Sequence, residues 1–202
     1  MEKYPQAFED LISFFKSFPG IGKRTAERMA FEIMKWSPEK LSQAAKVISE
    51  LKNNLSYCDN CGNLSETSKL CSICSDPHRD HSIICIVEDI PQIKSIEKAK
   101  AYKGLYHVLH GKIIPLDNRE ISTEVIDKIK HRIESGEIKE ILIALSMDIE
   151  GQATAIYLSD ILKVCNIKIS RIARGIPAGS DISYADPATI SAAISGRTQI
   201  QS

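Results

Sequence analysis

The chain has 202 residues, and its 26 basic residues are balanced by 26 acidic ones, so its formal net charge is zero. This balance excludes a protein that coats nucleic acid through bulk positive charge, so contact with a polyanion must depend on local geometry. An apolar fraction of 43% with 26% charged residues is typical of a globular protein. No apolar run reaches the roughly 18 residues of a membrane span, and the N-terminus lacks the apolar segment of a secretory signal. We therefore expect a cytoplasmic protein with no membrane contact.

Apolar residues at helical spacing predict three helices within the first 54 residues. The first carries an apolar face from Phe8 to Phe18, the second from Ala26 to Ile33, and the third starts at Ser37-Pro38. We expect a buried stripe on the third helix (Leu41, Ala44, Ala45, Ile48 and Leu51). The apolar faces of the first and third helices exceed what one small unit can cover. Pairing between protomers and packing within the unit therefore both stay open.

The sequence Gly20-Ile21-Gly22-Lys23-Arg24 joins the first two helices. The glycines allow a tight turn and a close approach to a ligand, and Ile21 would plug the turn from inside. The free N–H groups at the start of the second helix can hold a phosphate, with Lys23 and Arg24 adding charge. These features predict a helix-hairpin-helix contact with the DNA backbone that is independent of base sequence. The alternative is a tight turn in which geometry alone requires glycine.

Four cysteines form two Cys-x₂-Cys pairs, Cys58 with Cys61 and Cys71 with Cys74, separated by nine residues. Two such pairs can close a tetrahedral Cys₄ site with no position open to water, which predicts one structural zinc per chain. Iron in the same cage and a pair of disulfides are the alternatives. A reducing compartment disfavours the disulfides.

After His81, short apolar runs alternate with helical patterns (residues 83–87, 106–109, 141–145 and 167–172). This alternation predicts a parallel sheet with crossover helices, and a last short helix follows near residues 188–194. The predicted fold class is therefore mixed α/β, built from several modules. They are a helical helix-hairpin-helix unit, a cysteine segment, a parallel α/β domain and a C-terminal tail involved in assembly (residues 1–54, 55–80, 81–175 and 176–202).

Acidic residues follow two of the predicted strands. Glu88 ends the first buried strand, and Asp148 and Glu150 follow the third. Ligand sites in open parallel sheets form beyond the carboxyl ends of strands, so these side chains could converge there. Their oxygens could hold Mg²⁺ together with water and phosphate.

This acidic pattern resembles the Toprim domain, the fold shared by topoisomerases, primases and related nucleases. In the catalytic members a glutamate follows the first strand and an Asp-x-Asp follows the third. Here Glu88 and Asp148 match, Glu150-Gly151 matches the residues just beyond, and Ser146 stands in place of the first aspartate. The resemblance thus implies an incomplete metal set and a non-catalytic role. A magnesium-dependent Toprim nuclease, or another phosphoryl-transfer enzyme, is the alternative.

The order of hairpin, cysteine pairs and Toprim-like domain resembles the RecR family of bacterial recombination mediators over nearly the whole chain. Further similar segments run from Tyr102 to Gly111, from Glu150 to Tyr157 and from Arg171 to Gly179. Three departures affect the detail of the acidic surface, one of which is Ser146-Met147-Asp148 in place of the family's Asn-Pro-Thr before Glu150-Gly151. The family usually has aspartate at Gln92, and residues 113–120 lack its glycine-rich loop.

The RecR resemblance implies a homo-oligomeric ring, commonly a tetramer, whose hole admits duplex DNA. It implies partnership with RecO and RecF in loading recombinase onto single-stranded gaps, at duplexes and single/double-strand junctions, without strand chemistry. Lys23 and Arg24 would face DNA, and Glu88, Asp148 and Glu150 would contact RecO. The expected location is the nucleoid. A third hypothesis is an adaptor that is stabilised by zinc and binds only proteins.

Overall fold

The structure is a computed structural model that describes residues 4–66, 69–114 and 121–199. It divides at Asn54 and Leu55 into two compact units, each of which is described by itself. Most of the segment in which the family's glycine-rich loop is replaced, residues 115–120, lies outside the described residues. In the described ranges, no helix is long and apolar enough to cross a membrane.

The first unit contains the three predicted helices, α1 (Gln6–Lys16), α2 (Lys23–Ile33) and α3 (Pro38–Asn54). Helices α1 and α2 pack on each other through a small core of Ile12, Phe15, Ala26 and Ala30. The two alanines are fully buried, and their small side chains let the helices approach closely.

The prediction of a buried stripe on α3 is wrong for the single chain. None of its residues is buried, and its larger apolar side chains are exposed, namely Leu41, Val47, Ile48 and Leu51. An amphipathic pattern identifies a face that is suited to burial, but burial also needs an opposing apolar surface. The core of α1 and α2 includes no residue of α3, so that surface is missing within the unit.

The second unit begins with the cysteine loop, which we define as residues 56–66 and 69–74. Its two short strands, β1 (Ser56–Tyr57) and β2 (Leu64–Ser65), pair in antiparallel orientation. The four cysteines are buried and form a cluster of their own. The loop has little other apolar core, so it depends on these side chains for its structure.

In the described residues after the loop, four parallel strands form one sheet in the order β4-β3-β5-β6. Their bounds are β3 (Asp80–Val87), β4 (Gly104–Val108), β5 (Glu140–Ile143) and β6 (Lys168–Arg171). The predicted parallel sheet is therefore confirmed. Strands β3, β4 and β5 end at neighbouring positions, so the segments that follow them lie at one edge of the sheet.

Helices cover both faces of this sheet. Successive side chains of β3 point to opposite sides, so β3 contributes to a separate core on each face. Ile84 and Ile86 join the core beneath α5 and α6, while Cys85 and Val87 join the core beneath α4. The helices that cover the sheet are α4 (Ile90–Ala99), α5 (Thr123–Glu134) and α6 (Ile149–Leu162), and a further helix is α7 (Pro187–Ser195). Helix α7 lies in the C-terminal tail and buries none of its residues.

Candidate functional site

The turn between α1 and α2 uses its two glycines differently. Gly20 adopts φ +78°, a left-handed conformation that favours glycine. Gly22 precedes α2 with φ −80° and ψ 167°, which any residue can adopt, and a Cβ there would meet no atom within 4 Å. Ile21 packs against the core of α1 and α2 as the predicted plug. The backbone therefore needs Gly20, whereas Gly22 leaves open surface beside the start of α2.

The N-terminus of α2 is positive and accessible. No side chain caps it, and its first turn carries no acidic residue. Lys23 and Arg24 are both exposed, and within the ranges that the structure describes Lys23 makes only a 3.9 Å ion pair, with Glu27. Free N–H groups, the helix dipole and two cationic side chains together form a surface that can bind a phosphate anion.

The cysteine loop brings together Cys58, Cys61, Cys71 and Cys74, whose sulfur atoms all lie within 4.8 Å of one another. The Sγ atoms of Cys61 and Cys71 are 3.6 Å apart. Tetrahedral zinc with Zn–S bonds of about 2.3 Å needs sulfur separations of about 3.8 Å, so the donor set fits zinc.

The polypeptide around the sulfurs also suits thiolate ligands. The N–H groups of Asn63 and Cys71 donate to the Sγ atoms of Cys61 and Cys58, at 3.4 and 3.3 Å. Contacts among the sulfurs themselves lower the pKa of Cys71 and raise the pKa of Cys61 and Cys74, so they do not favour the anion at every sulfur. The two N–H donors favour negative charge on the sulfurs of Cys61 and Cys58, which metal binding requires.

The cysteine loop is docked on strand β4. The Val108 N–H donates to the Cys61 carbonyl at 2.8 Å, and the rings of Tyr57 and His110 meet edge to face with centroids 4.8 Å apart. A Cβ on Gly62 would lie 2.8 Å from Nε2 of His110, so the loop and the end of β4 are in close contact. The loop is thus a fixed part of the second unit.

Glu88 lies at the predicted edge of the sheet but is only 7% exposed. Its carboxylate accepts hydrogen bonds from the backbone N–H and hydroxyl of Ser146, at 2.6 and 2.8 Å. Gln92 donates to it at 3.2 Å and accepts from the Glu88 N–H at 2.7 Å. Two of the residues at which the chain departs from Toprim or RecR patterns, Ser146 and Gln92, therefore hold the Glu88 carboxylate by hydrogen bonds.

Lys112, which the sequence patterns did not identify, provides the positive charge of this acidic cluster. Its Nζ lies 2.6 Å from Oδ2 of Asp148 and 3.3 Å from Oε2 of Glu150. The hydrogen bond from Lys112 holds the pKa of Asp148 below its usual range, and it raises the pKa of Lys112. The other oxygen of Asp148 accepts from the Gly151 N–H and caps α6.

Glu88, Asp148 and Glu150 therefore approach the same edge, but they do not assemble a metal site by themselves. In the described part of the chain, the four cysteines are the one group of three or more metal-binding side chains placed closely enough to hold a metal ion together. The missed Lys112 is 36 residues from Asp148 in a loop, where no periodicity marks its partner.

Comparison with known protein families places four successive matches along the chain. The matching families are RecR helix-hairpin-helix, RecR Cys₄-zinc finger domain, Toprim domain and RecR C-terminal (residues 8–52, 55–76, 82–173 and 175–198). The chain belongs to the RecR family. The RecR fold class predicted from the sequence is confirmed, as is the structural zinc of the Cys₄ site.

Full-length relatives support the same assignment to the RecR family. The "Recombination protein RecR" of Clostridium perfringens (strain 13) is 43% identical over 200 residues, which cover 99% of this chain and 100% of the relative. That of Staphylococcus aureus (strain N315) is 41% identical over 197 residues, covering 98% and 99%. The RecR likeness therefore extends through both units and the C-terminal tail.

Proposed function

We propose that this RecR-family chain is a non-enzymatic, DNA-binding clamp of recombinational DNA repair. The observation that carries the proposal is the uncapped N-terminus of α2, with Gly22 open beside it and Lys23 and Arg24 exposed. The relatives are named recombination proteins, and a surface that binds phosphate without reading bases suits repair at arbitrary sequences. Gly20 and Ile21 position this surface. We propose a location at the nucleoid in the cytoplasm.

We further propose that the clamp is a homo-oligomeric ring, a tetramer or a dimer. One hairpin alone would bind with a dissociation constant of about 10⁻⁴ to 10⁻⁶ M, which is typical of non-specific contacts. Several hairpins in one assembly gain roughly 10² to 10⁴ through avidity. The exposed apolar face of α3 supports self-association, as does the C-terminal tail, where Tyr184 is 89% exposed. We also propose that the chain is organised in the four segments expected from the sequence, residues 1–54, 55–80, 81–175 and 176–202.

From the acidic cluster we propose that the protein does not cleave or rejoin DNA strands. Lys112 already forms ion pairs with the two carboxylates that would bind a catalytic cation, Asp148 and Glu150, and its single positive charge offsets one of their two negative charges. Ser146 donates a hydrogen bond to Glu88 at the position where catalytic Toprim domains have a second carboxylate. A cation bound there would find fewer ligands and a competing ammonium group, so its contribution to phosphoryl transfer would be weak.

We propose that this acidic edge contacts RecO, and that the chain acts with RecO and RecF to load recombinase at single-stranded gaps. The accessible groups are Asp148 and Glu150, whose side chains are 50% and 38% exposed. Glu88 is buried and would act indirectly by positioning Ser146. A basic side chain of the partner would compete with Lys112 for these carboxylates.

The DNA contact is tested with the double variant Lys23→Ala/Arg24→Ala. The matched control is Lys35→Ala/Lys40→Ala, which removes the same charge beyond the other end of α2. We expect weaker duplex binding and a salt dependence whose log–log slope falls by about 1 to 2, since each phosphate contact contributes about 0.9. Unchanged affinity and slope in the first variant, or an equal loss in the control, would contradict the proposal.

The open surface at Gly22 permits a second test that does not change charge. Gly22→Ala should leave the free energy of unfolding unchanged or slightly raised, because the backbone conformation accepts alanine. The added methyl group should nevertheless weaken duplex binding by keeping a phosphate away from the helix N-terminus. Full binding by a stably folded Gly22→Ala variant would show that DNA does not approach there.

Enclosure is tested by retention on closed circular plasmid compared with the same plasmid cut once, alongside the mass of the protein in solution. We expect slower release from the circle. A monomer that leaves both forms equally fast contradicts a ring, and normal partner binding without DNA retention favours a protein-only adaptor.

Incubation of DNA with the protein and magnesium tests the alternative of a nuclease. Magnesium-dependent cleavage that Glu88→Gln abolishes would establish an enzyme instead.

The RecO contact is tested with Asp148→Asn/Glu150→Gln. The control is Asp160→Asn, which changes an exposed carboxylate further along α6 that is paired with Lys163. Calorimetric titration with RecO should show weaker binding for the double variant only. Equal binding by both variants would remove the acidic edge from the proposed interface.

A further inference from the structure

Arg132 on α5 reaches from the helix to the cysteine loop and has an unusual environment. Its Nη1 donates to the Tyr106 carbonyl on β4 at 2.8 Å and to the Asn60 carbonyl in the loop at 3.5 Å. Its Nη2 is shielded from solvent and makes no hydrogen bond within the described residues. A guanidinium in this position lacks water and is incompletely paired, which is costly unless a negative charge lies nearby.

The contact of Arg132 with the loop places its guanidinium beside the cysteine cluster. The carbonyl that accepts from it belongs to Asn60, which lies between Cys58 and Cys61, and the four cysteines are buried together. In the residues that the structure describes, no carboxylate forms an ion pair with Arg132. The cysteine cluster is therefore its source of compensation.

His107 on β4 completes this environment without adding charge. Its Nδ1 lies 3.4 Å from Nη1 of Arg132, and burial lowers the pKa of His107 to about 3. The imidazole is therefore neutral at physiological pH and carries its proton on Nε2, because Nδ1 faces a donor. The pair of side chains contributes one positive charge.

A zinc ion with four thiolate ligands carries a net double negative charge. All four cysteines are buried, so that charge is poorly solvated and needs a nearby cation. In this arrangement the positive charge of the buried Arg132 guanidinium offsets the negative charge of the buried zinc–thiolate group. We propose that Arg132 is a positioning residue that supplies the counter-charge of the zinc site and couples metal retention to docking of the cysteine loop on β4.

The coupling follows from where Arg132 makes its contacts. Asn60 lies between Cys58 and Cys61, and the carbonyl of Cys61 is hydrogen-bonded to Val108 on β4. One side chain therefore binds the loop backbone beside two ligands and the strand on which the loop is docked. Loss of its charge should raise the free energy of the loaded zinc site and open a route for zinc release.

The experiment measures the rate at which full-length, zinc-loaded protein transfers zinc to an excess of the chromogenic chelator 4-(2-pyridylazo)resorcinol. The variants are Arg132→Gln, which keeps an amide donor without charge, Arg132→Met, which keeps length alone, and Arg132→Lys, which keeps the charge. Arg171→Met is the matched control. Arg171 lies on β6 at the other edge of the sheet and also has a buried nitrogen, Nε, without a hydrogen bond in the described chain.

We expect zinc release to be about 10- to 100-fold faster in Arg132→Gln and Arg132→Met, the range found for partners of metal ligands. Arg132→Lys should stay within about threefold of the unaltered chain and Arg171→Met within about twofold. Equal release from all variants, or Arg132→Lys as fast as Arg132→Met, would overturn the proposal, since charge would then be irrelevant. If Arg132→Met fails to fold, Arg132→Gln against Arg132→Lys gives the same decision.

Discussion

The first unit, which ends at Asn54 (the helical unit), and the second unit, which begins at Leu55 (the Toprim unit), bury their apolar residues to different extents. In the Toprim unit, β3 and β4 are surrounded on both faces, and large side chains such as Tyr106, Ile141 and Leu158 are fully buried. In the helical unit, four residues form the core and the whole of α3 remains accessible. The contrast teaches that one unit can be stable as a single chain, whereas the other has an apolar surface suited to further association.

The largest expected effect is a loss of zinc and of stability that is confined to the Toprim unit, because that unit contains the metal site. Cys61→Ser should abolish zinc binding, leave Arg132 uncompensated and lower the free energy of unfolding of the Toprim unit by about 3–5 kcal/mol, as for a broken buried pair. Urea unfolding and zinc content by elemental analysis measure both effects. Cys165→Ser is the control, because Cys165 is only partly buried and does not belong to the cysteine cluster. A Cys61→Ser protein with one zinc per chain and unaltered stability would contradict this expectation.

A pair of identical substitutions compares the two cores directly. Leu158→Ala removes a fully buried side chain and should cost about 2–5 kcal/mol. Leu51→Ala removes a side chain that is 52% exposed on α3 and should cost under about 1 kcal/mol in dilute protein. Urea unfolding at two protein concentrations tests this, since association through α3 would make the Leu51 effect grow with concentration. Equal costs in dilute protein would show that α3 is already buried.

The smallest expected effect concerns acid stability. Arg79 forms a close ion pair with Glu97, and the hydrogen bonds of Arg79 hold the pKa of Glu97 below its usual 4.5, with Tyr106 donating as well at 2.6 Å. The folded pKa is depressed, so the stabilisation is present above pH 4.5 and is lost as the pH falls through the folded value. After solvent screening it amounts to about 1 kcal/mol, or about 2–4 °C in Tm.

The check for this ion pair is the Tm of Glu97→Gln across the pH range. The variant should melt lower than the unaltered chain at pH 7, and the difference should shrink on acidification below pH 4.5. In the helical unit, Glu32 and Glu39 also have lowered pKa values but are fully exposed. Glu32→Gln is therefore the control, and it should change neither the Tm at pH 7 nor the dependence of Tm on pH. A difference in Tm that persists unchanged at low pH would assign the effect to packing.

Local patterns allowed much of the fold to be predicted from the sequence. The apolar runs fixed the strands, because a strand buried on both faces has few polar residues. The spacing of the cysteines predicted their convergence, because a metal site requires ligands of one type at short separation. Helix α3 shows the limit of such patterns, since its apolar face was identified correctly but its burial depends on a surface outside the unit.

The missing parts of the site depend on contacts distant in sequence. Lys112 and Arg132 are ordinary basic residues in a loop and on an amphipathic helix, and their partners are 36 and 25 or more residues away. Arg132 follows the buried Ile129 of the α5 core by three residues, and residues three apart share a helix face, which is a weak sign that it faces inward. Substitution of the Toprim aspartate by Ser146 predicted a weakened metal set, but nothing in the pattern predicted that a lysine forms ion pairs with Asp148 and Glu150.

The outer edge of β4 has a practical consequence for handling the protein. Its backbone groups are satisfied by the Cys61 carbonyl and the Arg132 guanidinium, so the cysteine loop acts as a cover for an otherwise open, apolar strand. Open strand edges of this kind add strands from other molecules. Stripping the metal with chelators or oxidising the thiols should therefore yield irreversible precipitates instead of a dispersed apo form. Purification buffers and cellular oxidants would then limit the lifetime of the chain through aggregation.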